Sequence, residues 1–410
     1  MKIKNLLYVS LLFALIAFVN TGRAQLANSY PNDVGIQNDP NVLYVEVFDD
    51  GMTNILSRYT DILNSAGMSL DADIPPGSLG PNSIKMTSVQ GVNSGGHLFK
   101  RFIPGFDSIV YIRYYVKYPS ISGGYFHHEG AWFGGYNPAT PWPNPQAGTC
   151  GLGSSRLSIS YEPVWQTNPE GMDSYLYWGD MQSWNGGGSC YGNPMITEGR
   201  LIWNGSPSGT SPLVSFDQWM CVEVMVKLNN PVTTYNGELK IWQNGVQVGH
   251  WGPGFPNGHW TADKWYNNPA DPPFQGFRWR TDANLNINWL WVEFYHDDPN
   301  APSSYIKFDH LVMAKQYIGP IYNAAGVINN PDASSAIQVY PNPASTEIKI
   351  NLPSENNFEI EIINTLGQTV MVSKAQPQNT IDISQFSNGI YFVRIQTADF
   401  IETKKLIIAK

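Results

Sequence analysis

Charge is scarce in this 410-residue chain: Asp, Glu, Lys and Arg make up 14% of it, and 24 bases face 33 acids. With no basic stripe to displace phosphate counter-ions, nucleic acid is excluded as a partner. Cysteine is nearly absent, at three residues, and neither a CxxC nor an HExxH pattern occurs, which removes the common zinc arrangements. Helical periodicity is almost missing, and only residues 52–64 hint at a turn or two. After residue 24 no run is long and apolar enough to read as a spanning helix. What is abundant is aromatic and turn-forming: 14 Trp, 22 Tyr, 18 Phe, 38 Gly and 30 Pro. Disordered segments lack such rings, so the composition is that of a globular, turn-rich protein. The length accommodates one large all-β domain plus a small one.

The exception to the missing apolar runs is at the start. Lys2 and Lys4 precede an apolar stretch over residues 6–19, and Gly22-Arg23-Ala24 supplies small residues at a cleavage spacing, so residues 1–24 read as a secretory signal peptide. Export permits disulfides. Cys150 and Cys190 lie in Gly-rich stretches, and pairing them would close a loop worth about 4 kcal/mol in the chain-entropy model. Cys221, in a strand-like run, reads as a buried small apolar residue. From residue 41 to residue 320 short β-patterned runs alternate with Gly, Pro and Asn clusters, the pattern of an antiparallel sandwich or barrel. Residues 321–336 are small and polar, a linker, and residues 337–410 form a second unit of short strands. The first 24 residues carry three bases and the last unit six bases against seven acids, so the central part holds a charge of −11 within the net −9.

Strand alternation splits each run into two faces. In 288–295 the even residues Leu290, Val292 and Phe294 are apolar, against Trp289, Trp291, Glu293 and Tyr295. In 110–118, Ile112, Tyr114, Val116 and Tyr118 oppose Tyr111, Arg113, Tyr115 and Lys117. In 219–228, Val222, Val224, Val226 and Leu228 oppose Cys221, Glu223, Met225 and Lys227. One face is aliphatic; the other mixes rings with single charges, as a saccharide site requires. Arg113, Tyr115, Lys117, Trp289, Trp291 and Glu293 are therefore candidate substrate-binding residues, with Trp132 and Trp178 from neighbouring aromatic runs. The same rings would also serve as cover for a sheet under long loops.

Two resemblances follow from ordered motifs. Val339-Tyr340-Pro341-Asn342-Pro343, the run IEIINTLGQTV, Asn388-Gly389-Ile390-Tyr391 and Lys404-Lys405-Leu406-Ile407-Ile408 resemble the type A sorting domain of the type IX secretion system. That implies a small β-sandwich, the type IX secretion machinery as partner, and delivery across the outer membrane to the cell surface or beyond. The paired strands around Asn236-Gly237, a plausible hairpin turn, and the late run Ile306–His310 are similar to concanavalin A-like jelly rolls. Gly123-Gly124, His127-His128-Glu129-Gly130, Ser154-Ser155-Arg156-Leu157 and Tyr175-Leu176-Tyr177 follow the order of the catalytic segments of family-14 alginate lyases and glucuronan lyases. The fold implied is an all-β, concanavalin A-like jelly-roll sandwich followed by a small C-terminal β-sandwich, and a monomer is expected. Those lyases carry a Lys where this chain has Phe126-His127-His128.

The lyase resemblance assigns Arg156 to a uronate carboxylate, which the guanidinium fork fits. Tyr175 or Tyr177 would exchange the proton, and His127 or His128 would replace the missing Lys. Two other functions compete. A glycoside hydrolase needs two carboxylates across a scissile bond; the E-x-D-x-x-E strand motif is absent, leaving Glu223 and Glu293 as a noncontiguous pair. A non-catalytic lectin would need only the aromatic face. Calcium is a further candidate ligand, because Asp49-Asp50 and Asp309 lie on first and last strands that often meet in such folds.

Overall fold

The computed structural model describes residues 25–410 apart from 121–127, 146, 164–170, 196–211, 297–299, 323–337, 352–357, 365–368, 376–379 and 397–400. The signal peptide and His127 thus lie outside the described residues. The chain divides into two units, Met1–Ala324 and Ala325–Lys410.

The first unit contains β1 (Val42–Glu46), helix α1 (Met52–Ser57), β2 (Asp61–Leu63), β3 (Met68–Asp71), β4 (Ser83–Ser88), β5 (Gly95–Phe106), β6 (Ile109–Lys117) and β7 (His128–Tyr136). It continues with β8 (Arg156–Pro163), β9 (Met172–Tyr177), β10 (Trp219–Lys227), β11 (Glu238–Gln243), β12 (Val246–Trp251), β13 (Gly258–Thr261), β14 (Lys264–Asn267), β15 (Ile287–Tyr295) and β16 (Ser304–Ala314). Two large antiparallel sheets result, with β13 and β14 paired as a separate two-stranded one. One runs β12-β11-β10-β6-β16-β4-β3, with β1 also on β16, and the other runs β2-β5-β15-β7-β8-β9. Neighbours far apart in the chain, such as β5 beside β15 and β6 beside β16, are the crossovers of a jelly roll.

The aliphatic faces meet between the sheets. Ile112, Val116, Val222, Val224 and Val226 from one side and Leu290, Val292 and Phe294 from the other belong to one buried core. Two tyrosines reach across it: Tyr114 donates to the carbonyl of Tyr161 and Tyr118 to that of Glu129, both at 3.0 Å. The tight hairpin here is Asn244-Gly245, between β11 and β12, where both residues have positive φ (52° and 80°) as a type I′ turn demands. Asn236-Gly237 instead ends a longer loop in which Asn236 bonds back to Asn230.

The two sheets therefore turn their other faces in opposite directions, and strands 109–117 and 287–295 do not share an outer face. The outer face of the larger sheet is closed. Leu26, Ile36 and Ile318 pack on Tyr111, Met225 and Val312, while Glu223 accepts from the amides of Ile318 and Gly319 at 2.8 and 2.7 Å. Arg113 is wholly buried, paired with Asp33 and donating to the carbonyls of Gly319 and His310. The Tyr115 hydroxyl accepts from Ile321 at 2.9 Å, and Lys117 pairs with Asp73 at 2.8 Å. Arg113, Tyr115 and Lys117 are thus engaged within the fold rather than facing a cavity, because two terminal segments occupy the face that Arg113 and Tyr115 point to and Asp73, just after β3, holds Lys117.

In the second unit β17 (Gln338–Tyr340), β18 (Glu347–Asn351) and β21 (Thr380–Asp382) form one sheet. A second sheet is made by β19 (Phe358–Asn364), β20 (Thr369–Ala375), β22 (Gly389–Gln396) and β23 (Ile401–Ile408). Their common core is Ile348, Ile350, Ile360, Ile362, Val393, Ile395, Leu406 and Ile408.

Burial raises the cost of ionising Asp33, but the Arg113 charge and the His310 and Arg113 hydrogen bonds outweigh it and lower its pKa to about 2. A depressed carboxyl stabilises the fold above its unfolded value, and that contribution disappears as pH falls through about 2. Asp33→Ala, which leaves Arg113 buried without its anion, is expected to cost about 3–5 kcal/mol at neutral pH in urea unfolding. Its deficit relative to wild type should shrink below about pH 3.

Candidate active site

The outer face of the smaller sheet stays open and holds a cavity of about 540 Å³. Its residues are the alternates of the core set. β15 supplies Trp289, Trp291, Glu293 and Tyr295, β7 supplies His128, Trp132 and Tyr136, β8 supplies Arg156 and Ser158, and β9 supplies Tyr175 and Tyr177. Cross-strand pairing sets them side by side, with Trp291 opposite Trp132 and Phe99, Tyr295 opposite His128, and Tyr136 opposite Arg156. Gly134 sits opposite Trp289, and a Cβ there would stand 2.7 Å from the indole, so glycine makes room for the ring. Phe99, Trp132, Tyr136, Trp289 and Trp291 pack into one aromatic floor.

A row of polar side chains crosses this floor. The Arg156 guanidinium lies 5.1 Å from the Tyr177 ring centre. The Tyr177 and Tyr175 hydroxyls are 3.1 Å apart. The Tyr175 ring is 5.1 Å from that of His128, whose Nδ1 meets Glu162 Oε1 at 3.1 Å. Arg156 is only 5% exposed, yet its Nε and Nη1 have no hydrogen-bond partner, and burial lowers its pKa. A buried guanidinium with unsatisfied donors costs free energy that an arriving anion would recover. Burial raises the pKa of both tyrosines; for Tyr177 the Tyr175 hydrogen bond and the Arg156 charge pull the other way, whereas for Tyr175 its neighbour adds to the rise. Glu293, 6% exposed, has its pKa pushed well up by burial and by the charge of Glu162.

Of the residues singled out from sequence, His128, Trp132, Arg156, Tyr175, Tyr177, Trp289, Trp291 and Glu293 converge on this cavity. Trp178 does not: it is in the sandwich core, against Trp260, Phe277 and Trp279, because the residue after Tyr177 points to the other side. Glu129, one residue from His128, also turns inward, and burial pushes its pKa well up. Glu223 is on the other sheet, so Glu223 and Glu293 form no carboxylate pair. Asp50 is engaged by Arg58 at 2.6 Å, and Asp309 is buried with its pKa pushed up to about 9. Among the described residues no three His, Cys, Asp or Glu side chains gather as a metal site. Cys150 and Cys190 form a disulfide with Cα atoms 5.1 Å apart, and Cys221 is buried and reduced. Tyr136 and Trp142, from runs whose Gly and Pro content reads as loop-like and cleft-walling, also line the cavity, whereas sequence reasoning missed Ser158 and the pair His97–Asp61, joined at 2.9 Å. His97 falls opposite Glu293 on β5, and its partner Asp61 lies on the short strand β2, which leaves no periodic signal.

Residues 338–409 match the family model of the secretion system C-terminal sorting domain. The second unit is a type IX secretion sorting domain. It directs the sorted chain to the cell surface or the extracellular space. The first unit is similar in structure to alginate lyase Aly36B, at 17% identity and a TM-score of 0.39, over 69% of this chain and 96% of that one. It is also similar to alginate lyase vAL-1 from Chlorella virus, at 16% and 0.41 over 67% and 100%. A third likeness is to the cellulose induced protein Cip1, at 14% and 0.37 over 68% and 100%. No curated protein matches the sorted chain in sequence.

An unpaired buried cation predicts a site that trades stability for binding. Arg156→Met is expected to stabilise the unliganded protein by about 1–2 kcal/mol in denaturant unfolding. A loss of stability would mean that the guanidinium has a structural partner.

Proposed function

We propose that the cavity binds a uronate-containing polysaccharide and cleaves it by β-elimination. The observation that carries this reading is Arg156, a buried guanidinium with two unsatisfied nitrogens on an aromatic floor. Indole and phenol rings accept the CH faces of pyranoses, and the guanidinium fork accepts a carboxylate. Burial favours the protonated form of Glu293, and in that form it donates a hydrogen bond to that carboxylate instead of repelling it.

Pairing the carboxylate with Arg156 makes the proton on the adjacent carbon more acidic. His128 removes that proton, and Glu162 at its Nδ1 steadies the imidazolium that forms. The electron pair becomes a carbon–carbon double bond as the bond to the glycosidic oxygen breaks. Tyr177 gives its phenolic proton to that oxygen, and Tyr175 supports the phenolate through the 3.1 Å hydroxyl contact. The proton taken by His128 returns to Tyr177 through solvent, which closes the cycle without consuming water.

The test is ultraviolet absorbance of unsaturated uronate on alginate, glucuronan and neutral glucans. A rise on a uronate polymer is expected, falling about 100-fold or more in Tyr177→Phe and in Arg156→Ala. Reducing ends without absorbance would select a glycoside hydrolase. Retardation in affinity electrophoresis with no product would select a lectin.

A further inference from the structure

Three large aromatic side chains beside the cavity are left in solvent: Trp142 is 57% exposed, Trp184 52% and Tyr191 48%. They sit on two loops, one after β7 and one after β9, that the Cys150–Cys190 disulfide ties together. Gly148 and Cys190 add a backbone pair, with N–O distances of 2.7 and 3.3 Å. The first loop is anchored to the aromatic floor where the Tyr136 hydroxyl accepts from Asn144 at 3.1 Å. The second is pressed on the site itself. Gly192 has φ +74°, and a Cβ there would lie 2.4 Å from the Tyr175 ring. Tyr191 packs over Gly148, 3.6 Å from where its Cβ would be, and its ring is 6.4 Å from that of Trp184. Trp142 lines the cavity, so the exposed rings continue its wall.

Exposed indoles and phenols on covalently stapled loops are costly to hydrate, and nothing in the fold is gained by their exposure. Rings fixed in advance also lose little conformational entropy when a sugar stacks on them. We propose that Trp142, Trp184 and Tyr191 form an outer binding strip for pyranose units of the same polysaccharide chain whose uronate enters the cavity. This rests on the reading of the cavity as a saccharide site, and it adds that the substrate is a polymer gripped beyond the unit being cleaved. The disulfide is the positioning element, since it sets the two loops against each other.

The test uses the full chain with Trp184→Ala, Tyr191→Ala and the double variant, on alginate and glucuronan and on their oligomers from trimer upward. Each substitution is expected to lower kcat/KM on polymer by about three- to tenfold through KM, with a smaller loss the shorter the oligomer. Equal losses on trimer and polymer, or none on polymer, would overturn the strip. If wild type forms no unsaturated ends, the elimination reading fails and the strip is decided by affinity electrophoresis in the same polymers. Retardation weakened by the substitutions sustains it; unchanged retardation, or no retardation of wild type, overturns it.

Discussion

Leu290, Val292 and Phe294 can face Ile112, Val116 and Val224 across the sandwich only if their alternates Trp289, Trp291 and Glu293 turn away from it. That parity constraint governs the first unit. It hands each sheet an outer face of rings and charges, and the two faces then have different fates. On the larger sheet the N-terminal segment and residues 317–321 close the face, held by the buried Asp33–Arg113 pair and by the Glu223 carboxylate. On the smaller sheet the same alternation is left uncovered and becomes the cavity.

The consequence for electrostatics is that the local basic cluster an acidic domain would need for a polyanion is smaller than composition suggests. Arg113 and Lys117 are spent on Asp33 and Asp73, and Arg156 is the guanidinium that faces the cavity. Long-range attraction of a polyanion is correspondingly weak in a central part of charge −11. Recognition must come from contact: one buried guanidinium, the buried Glu293 carboxyl and ring faces. Delivery outside the cell also suits the stapled loops, since an oxidising environment preserves the Cys150–Cys190 bond.

Much of this was legible in the chain. The alternation of 288–295 marked both the core and the floor, and the motifs after residue 338 identified the sorting unit. Sheet membership was not legible, because it depends on pairing between strands far apart. Arg113 and Arg156 look alike locally, and what separates them is Asp33, 80 residues from Arg113. His97 escaped notice because its partner Asp61 sits on a three-residue strand that periodicity does not register. Asn236-Gly237 was the pair read as a hairpin turn, and the turn falls instead at Asn244-Gly245, where β11 and β12 pair directly across it.

The central claim is that a carboxylate on the sugar is what Arg156 recognises. Calorimetric binding of an alginate or glucuronan trisaccharide to Tyr177→Phe protein, beside its carboxyl-reduced counterpart, tests it directly. The account predicts that the acidic trisaccharide binds about 10- to 100-fold tighter, and that this advantage vanishes when Arg156→Met is added. Equal affinity for the two sugars, or an advantage that survives loss of the guanidinium, would contradict it.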